Sequence, residues 1–248
     1  MKTHLPLLAA LLLAVPAPGH AGEAAFLFAY RPKAGQTPAF DAGYRRHLEW
    51  HRSNGDPLPW YGWYVVTGPR TGTFVDGSFG ITFAAFDARI APAKDGADAA
   101  RNVTPYADTV NRRILRRLPL PGTATRLEER KPSGLVEVLL VELRPGRSRL
   151  FESGLAQLAA ALADDDAAPE FTVYRQLSGG AEPAYLVMFP RDGNAYFERH
   201  TPSLDGLLAA LAEGSLVEGL SAMLAASVAK TEIEAWAYRA DLSYFPAE

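Results

Sequence analysis

The sequence predicts an α+β chain. One strand–helix–strand–strand–helix–strand unit is written twice, and the two antiparallel sheets face each other to form an intrachain barrel. Three observations carry this reading. Arg31-Pro32 is followed by Gly35, Phe40 and Gly43, and Arg144-Pro145 by Gly146, Phe151 and Gly154, with the same Gly-x4-Phe-x2-Gly spacing at an offset of 111 residues. At that offset the run from Trp60 to Gly68 lies over Phe171 to Gly179, with Trp60 on Phe171, Trp63 on Tyr174 and glycine on glycine. Third, the stretch Val136–Val141 is apolar on both sides of a strand, so both sheet faces need a cover. Helices supply one cover and the sheet of the other half supplies the second.

The elements follow in order. Ala25–Tyr30 alternates Phe26, Phe28 and Tyr30, which predicts a strand. Pro38–Arg52 reads as a helix, stopped by Asn54-Gly55-Asp56-Pro57. Trp60–Thr67 and Ser78–Phe86 read as a hairpin, with Asp76-Gly77 in the connection. Thr104 is a good N-cap with Pro105 after it, and Tyr106, Val110 and Ile114 recur at i, i+4, i+8, which predicts the second helix. A strand near Thr125–Arg130 closes the half; its Thr125–Glu128 resembles Thr231–Glu234, where the offset drops to 106. In half two Leu135–Leu143 is a strand, Phe151–Ala163 a helix, and Phe171–Leu177 with Ala184–Phe189 the hairpin. Leu204–Ala212 and Leu216–Val228 are helical, split at Gly214, and Thr231–Arg239 is the last strand. Lys131–Gly134 has linker composition. Each half has the element order of a ferredoxin-like unit. The expected organisation is a first ferredoxin-like repeat over residues 22–133 and a second over 134–248.

Residues 1–21 read as a secretory signal peptide. Lys2 precedes the apolar run Leu5–Val15, and Gly19 and Ala21 stand at −3 and −1 of a cut before Gly22. The run is too short to span a bilayer. The expectation is therefore export to a periplasm or beyond, with no membrane span. The chain has no cysteine, which excludes disulfides, thiolate metal sites and cysteine nucleophiles. A net charge of −3 argues against nucleic acid as a partner. Hydrophobic residues at 48% are enough for a sizeable core. No Gly-x-Ser-x-Gly elbow or phosphate-binding loop occurs.

The duplication is also an internal control. At the offset of 111, Phe40, Tyr44, His47 and His51 fall on Phe151, Leu155, Leu158 and Leu162, a plain amphipathic stripe. Half one thus carries two imidazoles and a phenol at core-type positions, where polar groups need partners. Either the histidines are satisfied locally or they serve a ligand or a reaction. Histidines at i, i+4 can share one cation. Glu49 points off their face, and the spacing is not that of a zinc protease. A third ligand would have to come from Asp56, Asp76 or His200, so the sequence assigns no metal and no cofactor. Trp50, Trp60, Tyr61 and Trp63 crowd one region and suit a pocket for a flat or apolar ligand, or equally a large core. Arg70 and Asp76 lie in a connection that half one lengthens, where function tends to be added. The candidate ligand-binding residues are Tyr44, His47, Trp50, His51, Trp60, Trp63, Arg70 and Asp76.

With these features the sequence resembles the dimeric α+β-barrel superfamily, which includes NIPSNAP-like and antibiotic-monooxygenase-like groups. His47-Leu48-Glu49-Trp50-His51, Trp60-Tyr61-Gly62-Trp63 and Phe74-Val75-Asp76-Gly77-Ser78-Phe79-Gly80 resemble exported bacterial members with no assigned function. The resemblance implies the architecture of both halves. It selects no chemistry, because the superfamily holds cofactor-free oxygenases and haem enzymes alike. The expectation is an exported protein that binds a small ligand or partner at the aromatic and histidine region of the first repeat. The alternatives are an oxidoreductase acting in the barrel, cofactor-free or dependent on haem or metal, and a structural or interaction module.

Overall fold

The structure, a computed structural model, describes residues 22–212 and 214–247. The segment read as a signal peptide lies outside the described residues. Half one runs β1 (Ala24–Pro32), α1 (Thr37–Ser53), β2 (Tyr61–Thr67), β3 (Phe74–Ile81), a short α2 (Phe83–Asp87), α3 (Pro92–Asn102) and β4 (Ala107–Arg117). Half two runs β5 (Leu135–Leu143), α4 (Ser148–Leu162), β6 (Thr172–Ser178), β7 (Ala184–Arg191), α5 (Leu204–Leu208), α6 (Ser215–Ser227) and β8 (Val228–Tyr238). Within the halves the strand orders are β4-β1-β3-β2 and β8-β5-β7-β6, the ferredoxin-like order. The halves join edge to edge, β2 on β8 and β4 on β6, and every pairing is antiparallel. The expected facing sheets are thus one closed barrel of eight strands, which leaves no strand edge unpaired.

Alternation along each strand sorts side chains between two cores. In β1, Ala25, Leu27 and Ala29 point into the barrel, while Phe26, Phe28 and Tyr30 face the helices. The lumen is filled by buried Tyr61, Trp63, Phe79, Leu115, Tyr174 and Trp236 among others, so the barrel is a packed core and not a channel. α1 lays its stripe of Phe40, Tyr44, His47, Leu48 and His51 on the outer face of the first half's sheet. α3 packs beside it at a close approach: a Cβ on Gly43 would stand 1.9 Å from the Asn102 carbonyl oxygen. Gly154 is the counterpart in α4, against Leu224 of α6.

Three expectations fail in half one. Tyr106–Ile114 is strand β4, and the second helix is Pro92–Asn102. Spacings of four and eight residues are even, so they also place side chains on one face of a strand. Ile114 does face the outer core; Tyr106 lies just before β4 and reaches the same core across a register irregularity between Thr109 and Asn111. Thr104 and Pro105 follow the helix instead of starting it. Residues 125–130 form a turn at one end of the barrel, where the Leu127 carbonyl accepts from the Tyr61 hydroxyl. The true counterpart of β8 in half one is β4, so the offset rises from 111 to 121 (228 − 107) because half two is longer between β7 and α6. Asp76-Gly77 lies inside β3. The hairpin connection is 68–73, with Gly68 and Gly72 at φ +97 and +84, and it is hardly longer than its counterpart 179–183.

Replacing Gly43 by alanine should force α1 and α3 apart and destabilise the protein by about 1–3 kcal/mol in chemical denaturation. Gly219→Ala in α6, where an added Cβ meets nothing within 4 Å, should instead be neutral or stabilising by up to about 1 kcal/mol.

Candidate functional site

Between α1, α3 and the outer face of β1, β3 and β4 lies a cavity of about 170 Å³. Its floor is a cross-strand row, Asp76–Phe28–Arg112, set by the pairing of β3 and β4 on either side of β1. The Arg112 guanidinium lies over the Phe28 ring at 5.5 Å. Tyr30 adds to the floor; Tyr44, His47 and His51 come down from α1, and Asp95 from α3. Trp60, at the start of β2, stands 5.2 Å from the His51 ring.

The two histidines are one turn apart on α1 and held by carboxylates. His51 Nδ1 is 2.6 Å from Asp56 Oδ2, and His47 Nδ1 is 2.9 Å from Asp98 Oδ1. Asp56 sits in the chain reversal that stops α1, after Gly55 at φ +65. Its carboxylate also accepts from the Trp60 indole N–H at 2.8 Å and the Leu58 amide at 3.0 Å. Burial opposes its charge, but these bonds outweigh it and hold Asp56 below the ordinary carboxylate range. Asp98 and Asp95 are three residues apart on α3 and so face α1 together. The Nε2 atoms of His47 and His51 are 3.3 Å apart, and Asp95 Oδ1 is 3.4 and 3.6 Å from them. Among the described residues these three donors form the one group of metal-ligating type close enough to share an ion. Burial and the neighbouring His51 push His47 below its usual value, against the pull of Asp98.

Asp76 is the other unusual group. It is 4% exposed; Oδ2 accepts from the Tyr44 hydroxyl at 2.5 Å, and Oδ1 has no partner. Burial raises its carboxyl to about 7, the charge of Asp95 adds to this, and the Tyr44 hydrogen bond opposes it. Burial and Asp76 also raise the Tyr44 and Tyr30 phenols, which stay protonated.

Of the residues singled out in the sequence, Tyr44, His47, His51, Trp60 and Asp76 meet at this cavity. Trp50 is half-buried beside both imidazoles, 5.2 Å from the His51 ring, but does not line the cavity. Trp63 points into the lumen. Arg70 grips Glu234 with two bonds of 2.8 and 2.6 Å over Trp236, far along the barrel wall. Neither Trp63 nor Arg70 reaches the cavity. The suggested third ligands are engaged otherwise: Asp56 holds an Nδ1, Asp76 pairs with Tyr44, and His200 packs on Tyr196 in half two. Asp95, Asp98, Phe28, Tyr30 and Arg112 were missed. The available signal for the α3 pair was Pro92 followed by Asp95 and Asp98 at helical spacing.

The internal control extends to the whole site. At the offset of 111, Phe28, Tyr30, Tyr44, His47, His51, Trp60 and Asp76 correspond to Leu139, Val141, Leu155, Leu158, Leu162, Phe171 and Val187, all in one apolar cluster. Arg112 pairs with Phe28 as Ile233 pairs with Leu139.

No model of a known family matches the sequence. No curated protein matches it. Solved structures do share the fold. A candidate monooxygenase from Lactobacillus acidophilus is 10% identical, with 91% of this chain and 97% of that chain covered at a TM-score of 0.57. An anthrone oxidase-like protein is also 10% identical, with 91% and 94% covered at 0.54. A candidate chlorite dismutase is 12% identical, with 88% and 95% covered at 0.50. The chain has the fold of these proteins.

Asp76 gives a pH test. Its folded value of about 7 lies above the ordinary 3.8, so it favours folding fully at acid pH and loses that contribution as pH rises through about 7. The stability of Asp76→Asn relative to the parent should therefore grow between about pH 4 and 7 and level off above. Denaturant melts across that range showing a constant difference would contradict it.

Proposed function

We propose that the chain is a small-molecule-binding protein whose site is the cavity of the first repeat. The observation that carries this reading is the comparison of the halves. One scaffold, at seven equivalent positions, carries only aliphatic and aromatic side chains of one buried cluster in half two, and in half one sets two imidazoles, two phenols, an indole and a carboxylate around a cavity. Buried polar groups lower stability unless they are satisfied, so retaining them in one repeat points to use. A cavity of about 170 Å³ is near the size of engineered cavities of about 150 Å³ that hold benzene. The ligand class is a compact polar molecule that meets Asp76 and Arg112 on the floor and the imidazoles on the roof. The signal-peptide pattern of residues 1–21 supports export as part of the same proposal.

A second reading, an oxidoreductase working at this cavity, is favoured by the buried histidine pair and by the oxidase and monooxygenase descriptions of the fold's neighbours. Haem does not fit it. The lumen is filled, and the cavity is below even the about 300 Å³ of small ligand pockets.

The combined variant Tyr44→Leu, His47→Leu, His51→Leu and Asp76→Val writes the half-two pattern into half one. It should fold with somewhat lower thermal stability, because Asp56 and Asp98 lose their imidazole donors while remaining in place. A library of small acids, alcohols and amines screened by ligand-observed NMR should give parent-specific binders that this variant loses. Binders retained unchanged by the variant would overturn the assignment.

A further inference from the structure

We propose that His47 Nε2, His51 Nε2 and Asp95 Oδ1 together bind one divalent transition-metal ion. The inference goes beyond the small-ligand reading and does not depend on it. Each imidazole gives its Nδ1 proton to a carboxylate, at 2.9 Å for His47 to Asp98 and 2.6 Å for His51 to Asp56. That direction of donation leaves each Nε2 with a bare lone pair facing the cavity. Asp95 Oδ1 converges on the same point and is buried without any hydrogen-bond donor. Three acceptors with no proton among them repel one another unless positive charge sits between them. A proton shared by the two imidazoles would satisfy the nitrogens and still leave Asp95 Oδ1 unmet.

The distances select the kind of cation. The donors form a triangle of 3.3, 3.4 and 3.6 Å. A tetrahedral ion with bonds of about 2.0–2.1 Å requires donors about 3.3–3.4 Å apart. Two imidazoles and one carboxylate suit zinc or ferrous iron, whereas magnesium and calcium prefer oxygen throughout. The two carboxylates on the Nδ1 atoms are the outer partners that orient metal-bound histidines. Three protein donors leave a coordination position on the cavity that they line. Water or a small oxyanion would complete it, with Arg112 to balance the negative charge.

The test uses tag-free protein stripped with a chelator and titrated with cobalt(II) chloride, followed by the visible ligand-field bands, and with zinc by calorimetry. The expected result is one ion per chain. His47→Leu with His51→Leu, which restores the half-two residues, should fold and bind no stoichiometric ion. Asp95→Asn, on the less buried helix, should weaken binding by at least about tenfold. Asp98→Asn, a positioning change, should weaken it by about 10–100-fold with the stoichiometry kept. No saturable cobalt binding by the parent, or binding unchanged in the double leucine and Asp95→Asn variants, would overturn the proposal. A parent that binds small molecules but no ion would sink the metal site alone; a parent that binds the ion but no small molecule would sink the earlier reading alone.

Discussion

Asp56 and Asp98 each accept an imidazole Nδ1 proton from α1, and this direction of donation turns both Nε2 lone pairs to one point. The rest of the site depends on it. Asp56 is fixed by the Leu58 amide and the Trp60 indole, in the reversal that ends α1. Asp98 is fixed by its place on α3, which approaches α1 only because Gly43 has no side chain. A helix stop and one glycine therefore set the tautomers of two histidines several residues away.

The scaffold beneath is indifferent to this chemistry. Barrel closure through β2–β8 and β4–β6 and the aromatic lumen stabilise both halves without touching the cavity. Half two shows what the fold adopts when only packing matters: Leu155, Leu158 and Leu162 on α4 over Val141 and Val187. Half one departs from that pattern on two layers at once. The imidazoles and Tyr44 are on the helix layer, and Asp76 and Arg112 on the sheet layer. Departures on facing layers that meet in one cavity are hard to attribute to tolerance of scattered polar residues.

Much of the fold was legible because its signals are local and repeated. The Gly-x4-Phe-x2-Gly spacing marks the entry to each first helix, and β5, α4, β6 and β7 fall close to their expected bounds. The second helix and closing strand of half one were misread because Tyr106, Val110 and Ile114 are spaced by a number that serves strand and helix equally. The error propagated: with β4 hidden, nothing marked Arg112 as a residue of the sheet. The helix half of the site was readable, since Tyr44, His47 and His51 break an apolar stripe that half two keeps. Asp76 was singled out for the wrong reason, as part of a turn, and is in fact a buried strand residue. Asp95 and Asp98 were missed because their helical spacing marks a shared face but no local pattern announces a contact across 44 to 51 residues of chain. Trp63 and Arg70 lie away from the cavity, Trp63 in the lumen and Arg70 on Glu234, for an aromatic cluster packs a lumen as readily as it lines a pocket.

The central claim is that the carboxylates hold both histidines with Nδ1 protonated and Nε2 free. Nitrogen-15 spectra of the histidine rings in the chelator-stripped protein, at mildly alkaline pH, read this directly. The account predicts that His47 and His51 both show the Nδ1–H tautomer and a bare Nε2, with the Nδ1–H signals altered by Asp98→Asn for His47 alone. A proton on Nε2 of either ring under those conditions would contradict it.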